Sequence, residues 1–146
     1  MTIQHPDAEG AEVTQKAQKE QPLENDCSHA IIGAAVEVQR VLGVGLLESA
    51  YSAALAIELT ERGIAFQREV PITGRYKGRE VGLAYRADFI VDRSVIVEVK
   101  AVDALAEIHR AQLLSYLRLA GVKLGLLINF NVFPVVKAIH RVVNKL

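Results

Sequence analysis

The spacing of apolar residues divides the chain into helical and extended stretches. Ile31, Ala35, Val38 and Leu42 recur at intervals of 4, 3 and 4, which is one apolar face of a helix. Asp26 or Ser28 stands where a side chain can cap its first amides, and Gly43-Val44-Gly45 closes it. Leu47, Tyr51, Leu55 and Leu59 repeat every fourth residue and predict a second helix from Leu46 to Arg62, stopped by Gly63. The period then falls to two. Ile64, Phe66, Val70 and Ile72 predict a strand in which Pro71 suits an edge or an end. Thr73 to Glu80, with Gly74 and Lys77-Gly78, reads as turn. Val81 to Asp92 and Val95 to Lys100 predict two more strands, and a helix runs from a cap at Asp103 to Ala120, before Gly121. Val122 to Phe130 is an apolar run with one lysine, the pattern of a central strand covered on both faces. Pro134 opens a last helix to Leu146, on which Lys137, Arg141 and Lys145 form a basic stripe.

The resulting order, ααβββαβα, predicts an α/β fold with a mixed four-stranded sheet flanked by helices. The first three strands form an antiparallel meander. The strand-helix-strand segment over 95–130 predicts a right-handed parallel crossover.

Composition narrows the class. A hydrophobic fraction of 51% with 23% charged residues excludes disorder of the whole chain of 146 residues. Leu124 to Val136 is the longest uncharged run, interrupted by Pro134 and too short for a membrane span, which needs about 20 apolar residues. Met1 to Gly10 lacks the basic start and apolar stretch of a signal peptide, and Cys27 is the sole cysteine, so a disulfide framework is excluded. The expected location is the cytoplasm. Net charge is zero, but residues 1–27 hold six acids against two bases. Residues 1–26 therefore read as a flexible acidic tail before a mildly basic domain over 27–146, which permits a phosphate-bearing partner.

Alternation along the strands brings out the chemistry. Val81, Leu83, Tyr85, Phe89 and Val91 predict one apolar face, and Arg86, Asp88 and Ile90 the other. If the three-residue loop Asp92-Arg93-Ser94 pairs Val91 with Val95, Asp88 falls opposite Glu98. Cross-strand neighbours on one face lie about 4.5–5.5 Å apart at Cβ. Carboxylates that close repel unless a divalent cation lies between them or one is protonated. Lys100 follows on the same face, about 6.6 Å along the strand. A lysine there can hold a water or, as the free amine, deprotonate it, and as an ammonium can neutralise charge growing on a phosphorane. Spacing alone fits three solvated strand charges equally well. Glu48 and Tyr51 lie three apart on one helix face, and Gln112 and Tyr116 lie four apart on another, among Leu105, Ile108 and Leu119. Tyr51 and Tyr116 taken alone read as core aromatics. The four histidines lack metal-ligand spacing and a cysteine partner, which argues against zinc.

Together these residues form a pattern. Gly45, Glu48 and Tyr51, then Asp88 within Tyr85-Arg86-Ala87-Asp88-Phe89-Ile90-Val91, then Glu98-Val99-Lys100 and Gln112 with Tyr116, follow one another along the chain. With Leu124-Gly125-Leu126-Leu127-Ile128-Asn129-Phe130, the chain over 28–143 resembles the GxxExxY family, a branch of the PD-(D/E)XK nuclease-like superfamily. Three positions depart from that pattern. Ala87 replaces the proline of the superfamily's name, Gln39 stands where histidine is common, and Val44 where proline is usual.

The resemblance implies a restriction-endonuclease-like core and a Mg²⁺-dependent DNA nuclease, with Mn²⁺ as a substitute ion. It implies Asp88, Glu98 and the Val99 carbonyl as metal ligands, Glu48 as an outer carboxylate and Lys100 as the catalytic lysine. Gln112 and Tyr116, with Tyr51 and Arg86, would orient the site or meet DNA. Two rival readings remain: a binding module for nucleic acid or protein that keeps the fold without turnover, and a structural subunit whose apolar surplus is buried in a homodimer.

Overall fold

The computed structural model describes residues 27–145. The acidic tail expected over 1–26 lies outside them. Helix α1 (Ser28–Leu42) buries Ile31, Ala34, Ala35 and Val38, the face that the apolar spacing predicts, and ends at Gly43 with φ 75°. Ser28 does not cap it. Its hydroxyl accepts a hydrogen bond from Arg141 Nη1 at 2.9 Å, and Cys27 holds the cap position, its thiol turned to the Val91 carbonyl at 4.0 Å instead of to the helix amides. Helix α2 (Glu48–Glu61) buries Tyr51, Leu55 and Leu59.

Strand β1 (Phe66–Tyr76) and strand β2 (Arg79–Val91) form a long hairpin. The stretch read as turn from Thr73 to Glu80 is mostly strand, and only Lys77-Gly78 turns. Both residues have positive φ, as a tight two-residue connection requires. Strand β3 (Val95–Lys100) pairs with β2 through Val91↔Val95, Ile90↔Ile96 and Phe89↔Val97, the register the loop length predicts. Helix α3 (Glu107–Ala120) starts later than a cap at Asp103 implies. His109 Nδ1 accepts the Ala106 amide at 3.0 Å and supplies the local bond at that end. Gly121, with φ 70°, stops the helix. Strand β4 (Leu124–Asn129) runs parallel to β3, which makes the β3-α3-β4 segment a parallel crossover.

The C-terminal helix expected from Pro134 to Leu146 does not form. A 3-10 turn over Val135–Ala138 leads into strand β5 (Ile139–Val143), antiparallel to β4. The sheet has five strands in the order β1-β2-β3-β4-β5, against the four expected. Two physical reasons stand behind the difference. Every residue of β4 is buried, so its outer amides and carbonyls need a partner strand. The four-residue spacing of Lys137, Arg141 and Lys145 fits a period of two as well as one of 3.6, and β-branched Ile139, Val142 and Val143 favour the strand.

Helices α1 and α2 cover one sheet face. There Ile31, Val38, Tyr51 and Leu55 pack with Phe89, Val97, Val99 and Leu126. Helix α3 covers the other, where Leu113 and Leu117 pack with Ala87, Ile96 and Leu127. Ile108 and Leu119, expected on the inner face of α3, are exposed. No helix among the described residues is long and apolar enough to cross a membrane.

Candidate active site

Strands β2 and β3 part at Asp88 and Glu98. Their ladder ends at Phe89↔Val97, and side chains take over from backbone. The Asp88 amide donates to Glu98 Oε2 at 3.1 Å, and the Val99 amide donates to Asp88 Oδ2 at 2.8 Å. Each carboxylate thus satisfies an amide that a continuing ladder would have used. On the other flank, β1 pairs Arg68 with Phe89 and Val70 with Ala87, skipping Glu69, whose φ is 50°. Asp88 therefore lacks a regular ladder pair on either side. The break also shifts the facing of β2. Phe89 and Val91 join the cluster under α1 and α2, whereas Tyr85 and Ala87 join the one under α3. The single apolar face expected from Val81 to Val91 is not continuous, and Val81 and Leu83 are exposed.

This placement sets the electrostatics. Glu98 is 8% exposed. Burial, with the nearby Asp88 charge second, pushes its carboxyl up to about 8, against the Asp88 amide and Lys100, which pull it down. Asp88 is half-buried and also raised, first by burial; the Val99 amide and Lys100 oppose the rise, and Glu48 and Glu69 add to it. Glu48, exposed at the start of α2, turns its Oε2 to the Ala101 amide at 3.4 Å, just past Lys100. The four residues Glu48, Asp88, Glu98 and Lys100 are therefore brought to one end of the sheet, at the parting of β2 and β3.

The other expected residues fall in different places. Tyr51 is fully buried; its ring stacks on Phe130 at 4.9 Å between centroids. Its hydroxyl donates to the Gly43 carbonyl at 2.7 Å and accepts the Leu46 amide at 3.2 Å. It holds the loop that presents Glu48 and has no surface to offer DNA, which corrects the DNA-contact reading. Tyr116, half-buried on α3, stacks on Tyr85, and burial followed by the charges of Glu98 and Asp88 raises its hydroxyl. Gln112 is exposed one turn earlier, and its side chain makes no hydrogen bond among the described residues. Arg86 is exposed on β2, two residues from Asp88.

Three supporting residues escaped the pattern reading. Tyr85 reaches the same region from β2. Its hydroxyl is buried without a hydrogen-bond partner among the described residues, and burial with the charges of Glu98, Tyr116 and Asp88 drives it upward. Gln39, 3% exposed, donates to the carbonyls of Phe130 (3.0 Å) and Val132 (2.7 Å) and accepts the Val135 amide (2.8 Å). Where the resembled family commonly has an imidazole, this chain has a structural amide. Asn129, paired with Lys100, exchanges hydrogen bonds with both backbone groups of Val102 at 3.1 and 2.9 Å. A lone polar residue inside an apolar run is the available signal for Asn129; Gln39, next to Arg40, shows itself only by its helical spacing from Ala35 and Leu42.

The donor set suits a hard divalent cation. Two carboxylates and a strand carbonyl are oxygen ligands of the kind Mg²⁺ takes, and its reluctance to shed water suits a partial protein shell. No group of three or more His, Cys, Asp or Glu side chains among the described residues is close enough to cage an ion. The orphaned Tyr85 hydroxyl beside the two acids is a polar group that a cation's water would satisfy.

Neither curated proteins nor solved structures give a match. A family model described as the PD-(D/E)XK nuclease superfamily matches residues 25–142. Its mixed sheet between helices is consistent with a restriction-endonuclease-like core, and the chain belongs to the PD-(D/E)XK nuclease superfamily.

Proposed function

We propose that this chain is a Mg²⁺-dependent nuclease that hydrolyses DNA phosphodiester bonds, with Mn²⁺ able to substitute. One observation carries the reading: Asp88 and Glu98 are interlocked through each other's strand amides at the point where β2 and β3 part, with Lys100 and Glu48 alongside. Asp88, Glu98 and the Val99 carbonyl would hold the ion, which when bound supplies positive charge to phosphate oxygens and acidifies water. Lys100, as an ammonium, orients the attacking water and neutralises charge developing on the phosphorus centre. Glu48 receives the outer hydration from the α2 side. Tyr85 and Tyr116 donate hydrogen bonds towards that water or a phosphate oxygen, and Gln112 and Arg86 meet the nucleic acid at the rim. Tyr51 acts indirectly, by fixing the loop before Glu48.

The buried, mutually repelling carboxylates favour an enzyme over a silent binding module. A protein without a use for a cation gains nothing by holding a glutamate with its carboxyl pushed up to about 8. The test is incubation with end-labelled single-stranded, duplex and branched DNA in Mg²⁺, Mn²⁺ or EDTA. Cleavage in either metal and none in EDTA is the expected result. Metal-independent DNA binding without cleavage would transfer the protein to the binding-module class.

A further inference from the structure

The β1–β2 hairpin is longer than the core requires. β2 meets β3 only through Phe89–Val91, whereas its pairing with β1 continues to Tyr76↔Arg79. That leaves up to roughly 30 Å of ribbon between Asp88 and the turn, at about 3.3 Å per residue. Beyond the Gly74↔Gly82 pair, none of the hairpin residues belongs to either core cluster. The ribbon bends there. Register shifts fall on both sides of Thr73-Gly74, Gly82 has φ 97°, and a Cβ on Gly74 would stand 3.1 Å from the Val81 side chain. The sequence thus spends two glycines and two irregularities on aiming a segment that contributes no core.

The tip is chemically mixed. Arg75, Lys77 and Arg79 fall within five residues, against the single acid Glu80. Arg75 meets Glu80 at 3.3 Å on the exposed surface, and the Lys77 ammonium lies 5.4 Å from the centre of the Tyr76 ring. Tyr76, Val81 and Leu83 are 64%, 66% and 56% exposed. An ordinary solvated turn has no use for an aromatic and two aliphatic side chains in water. Cations with interleaved apolar surface fit a polymer that offers phosphates beside sugars and base edges. Exposed Arg86 adds a further cation on β2, two residues from Asp88 and separated from the tip cluster by the uncharged stretch Val81 to Tyr85. An acidic peptide would answer the charges at the tip but would not account for a second cation beside the carboxylates.

We infer that the β1–β2 hairpin is a second nucleic-acid contact, gripping duplex phosphates up to about one helical turn (roughly 34 Å) from the Asp88–Glu98 site. This rests on the nuclease reading and adds to it the substrate class: duplex long enough to reach from the carboxylates to Lys77.

The experiment compares the full chain with the triple variant Arg75→Gln/Lys77→Asn/Arg79→Gln, in which asparagine keeps the left-handed turn. Binding to fluorescent duplexes of 8 and 30 base pairs is followed by anisotropy in Ca²⁺ over a range of salt, beside thermal melts. The variant is expected to melt with the parent and to bind the 8-base-pair duplex within twofold of it. It should bind the 30-base-pair duplex about tenfold or more weakly, with the slope of log K against log salt reduced by about two to three. Equal binding of the long duplex by both proteins overturns the hairpin contact and leaves the nuclease reading standing. A parent that binds neither duplex overturns both. A parent that shows the length-dependent difference but never cleaves in Mg²⁺ or Mn²⁺ sinks the nuclease reading alone. A variant that loses only its adsorption to anionic vesicles makes the hairpin a membrane contact and overturns the inference.

Discussion

Replacing Glu98 by glutamine isolates what the carboxylate pair costs the fold. Glu98 is 8% exposed, and its Oε2 accepts the Asp88 amide at 3.1 Å. Its carboxyl is pushed from an ordinary 4.5 up to about 8, chiefly by burial and then by Asp88. Between those values the folded protein keeps a proton that the unfolded chain has released. Stability therefore falls as pH rises through the window, and the penalty is complete above pH 8. At pH 7 the window has been crossed for about 2.5 pH units, which at about 1.4 kcal/mol each amounts to roughly 3 kcal/mol. Asp88, raised in the same direction, adds a slope of the same sign at the acid end. Glutamine retains a carbonyl oxygen for the Asp88 amide and has no charge to bury.

In EDTA, Glu98→Gln should therefore exceed the parent by about 2–3 kcal/mol at pH 7 and by little at pH 5. Its stability should also be nearly level where the parent's declines. Urea unfolding followed by circular dichroism at pH 5, 6, 7, 8 and 9 reads both quantities, provided the m-values agree. A parent whose stability is flat or rising from pH 5 to 8 would refute the reasoning, as would a variant with the parent's slope. Either outcome would mean that Glu98 is solvated in a way its burial denies.

Saturating Mg²⁺ should reverse the trend for the parent: both carboxylates must ionise to hold the ion, so calorimetric affinity should rise by up to about tenfold per pH unit below pH 8. Asp88→Asn keeps an acceptor for the Val99 amide, so its metal-free stability should equal or exceed the parent's, while Mg²⁺ affinity and DNA cleavage fall by orders of magnitude. Lys100→Ala should bind Mg²⁺ as the parent does, because an ammonium is no ligand, and should lose turnover in the same cleavage assay. Gln39→Leu strands the Phe130 and Val132 carbonyls and the Val135 amide, and should cost about 2–4 kcal/mol in urea unfolding.

The legible part of this protein was its local periodicity and one cross-strand register. Apolar spacing located α1, α2 and the core strand β4, and the three residues between Val91 and Val95 were enough to pair β2 with β3. Two failures have a common cause in partners that sequence spacing does not display. Lys137, Arg141 and Lys145 fit helix and strand alike until the outer hydrogen-bonding edge of β4 is seen to need β5. Strict alternation puts Tyr85 on the face of Phe89, and alternation does not continue through Asp88.

That second failure falls on the candidate site itself. Alternation describes a strand only while its neighbours hold it in the ladder, and Asp88 lies where both neighbours let go: Glu69 turns left-handed on one side and β3 departs on the other. Regular pairing would have used the amides of Asp88 and Val99 in backbone bonds. Released from it, they bind Glu98 and Asp88 and lower the cost of holding two acids together where burial disfavours their charge. The irregularity that defeats the pattern is thus what allows the carboxylates to be there. Residue types announced the chemistry, but the parting of the strands that tolerates it is a property of the whole sheet.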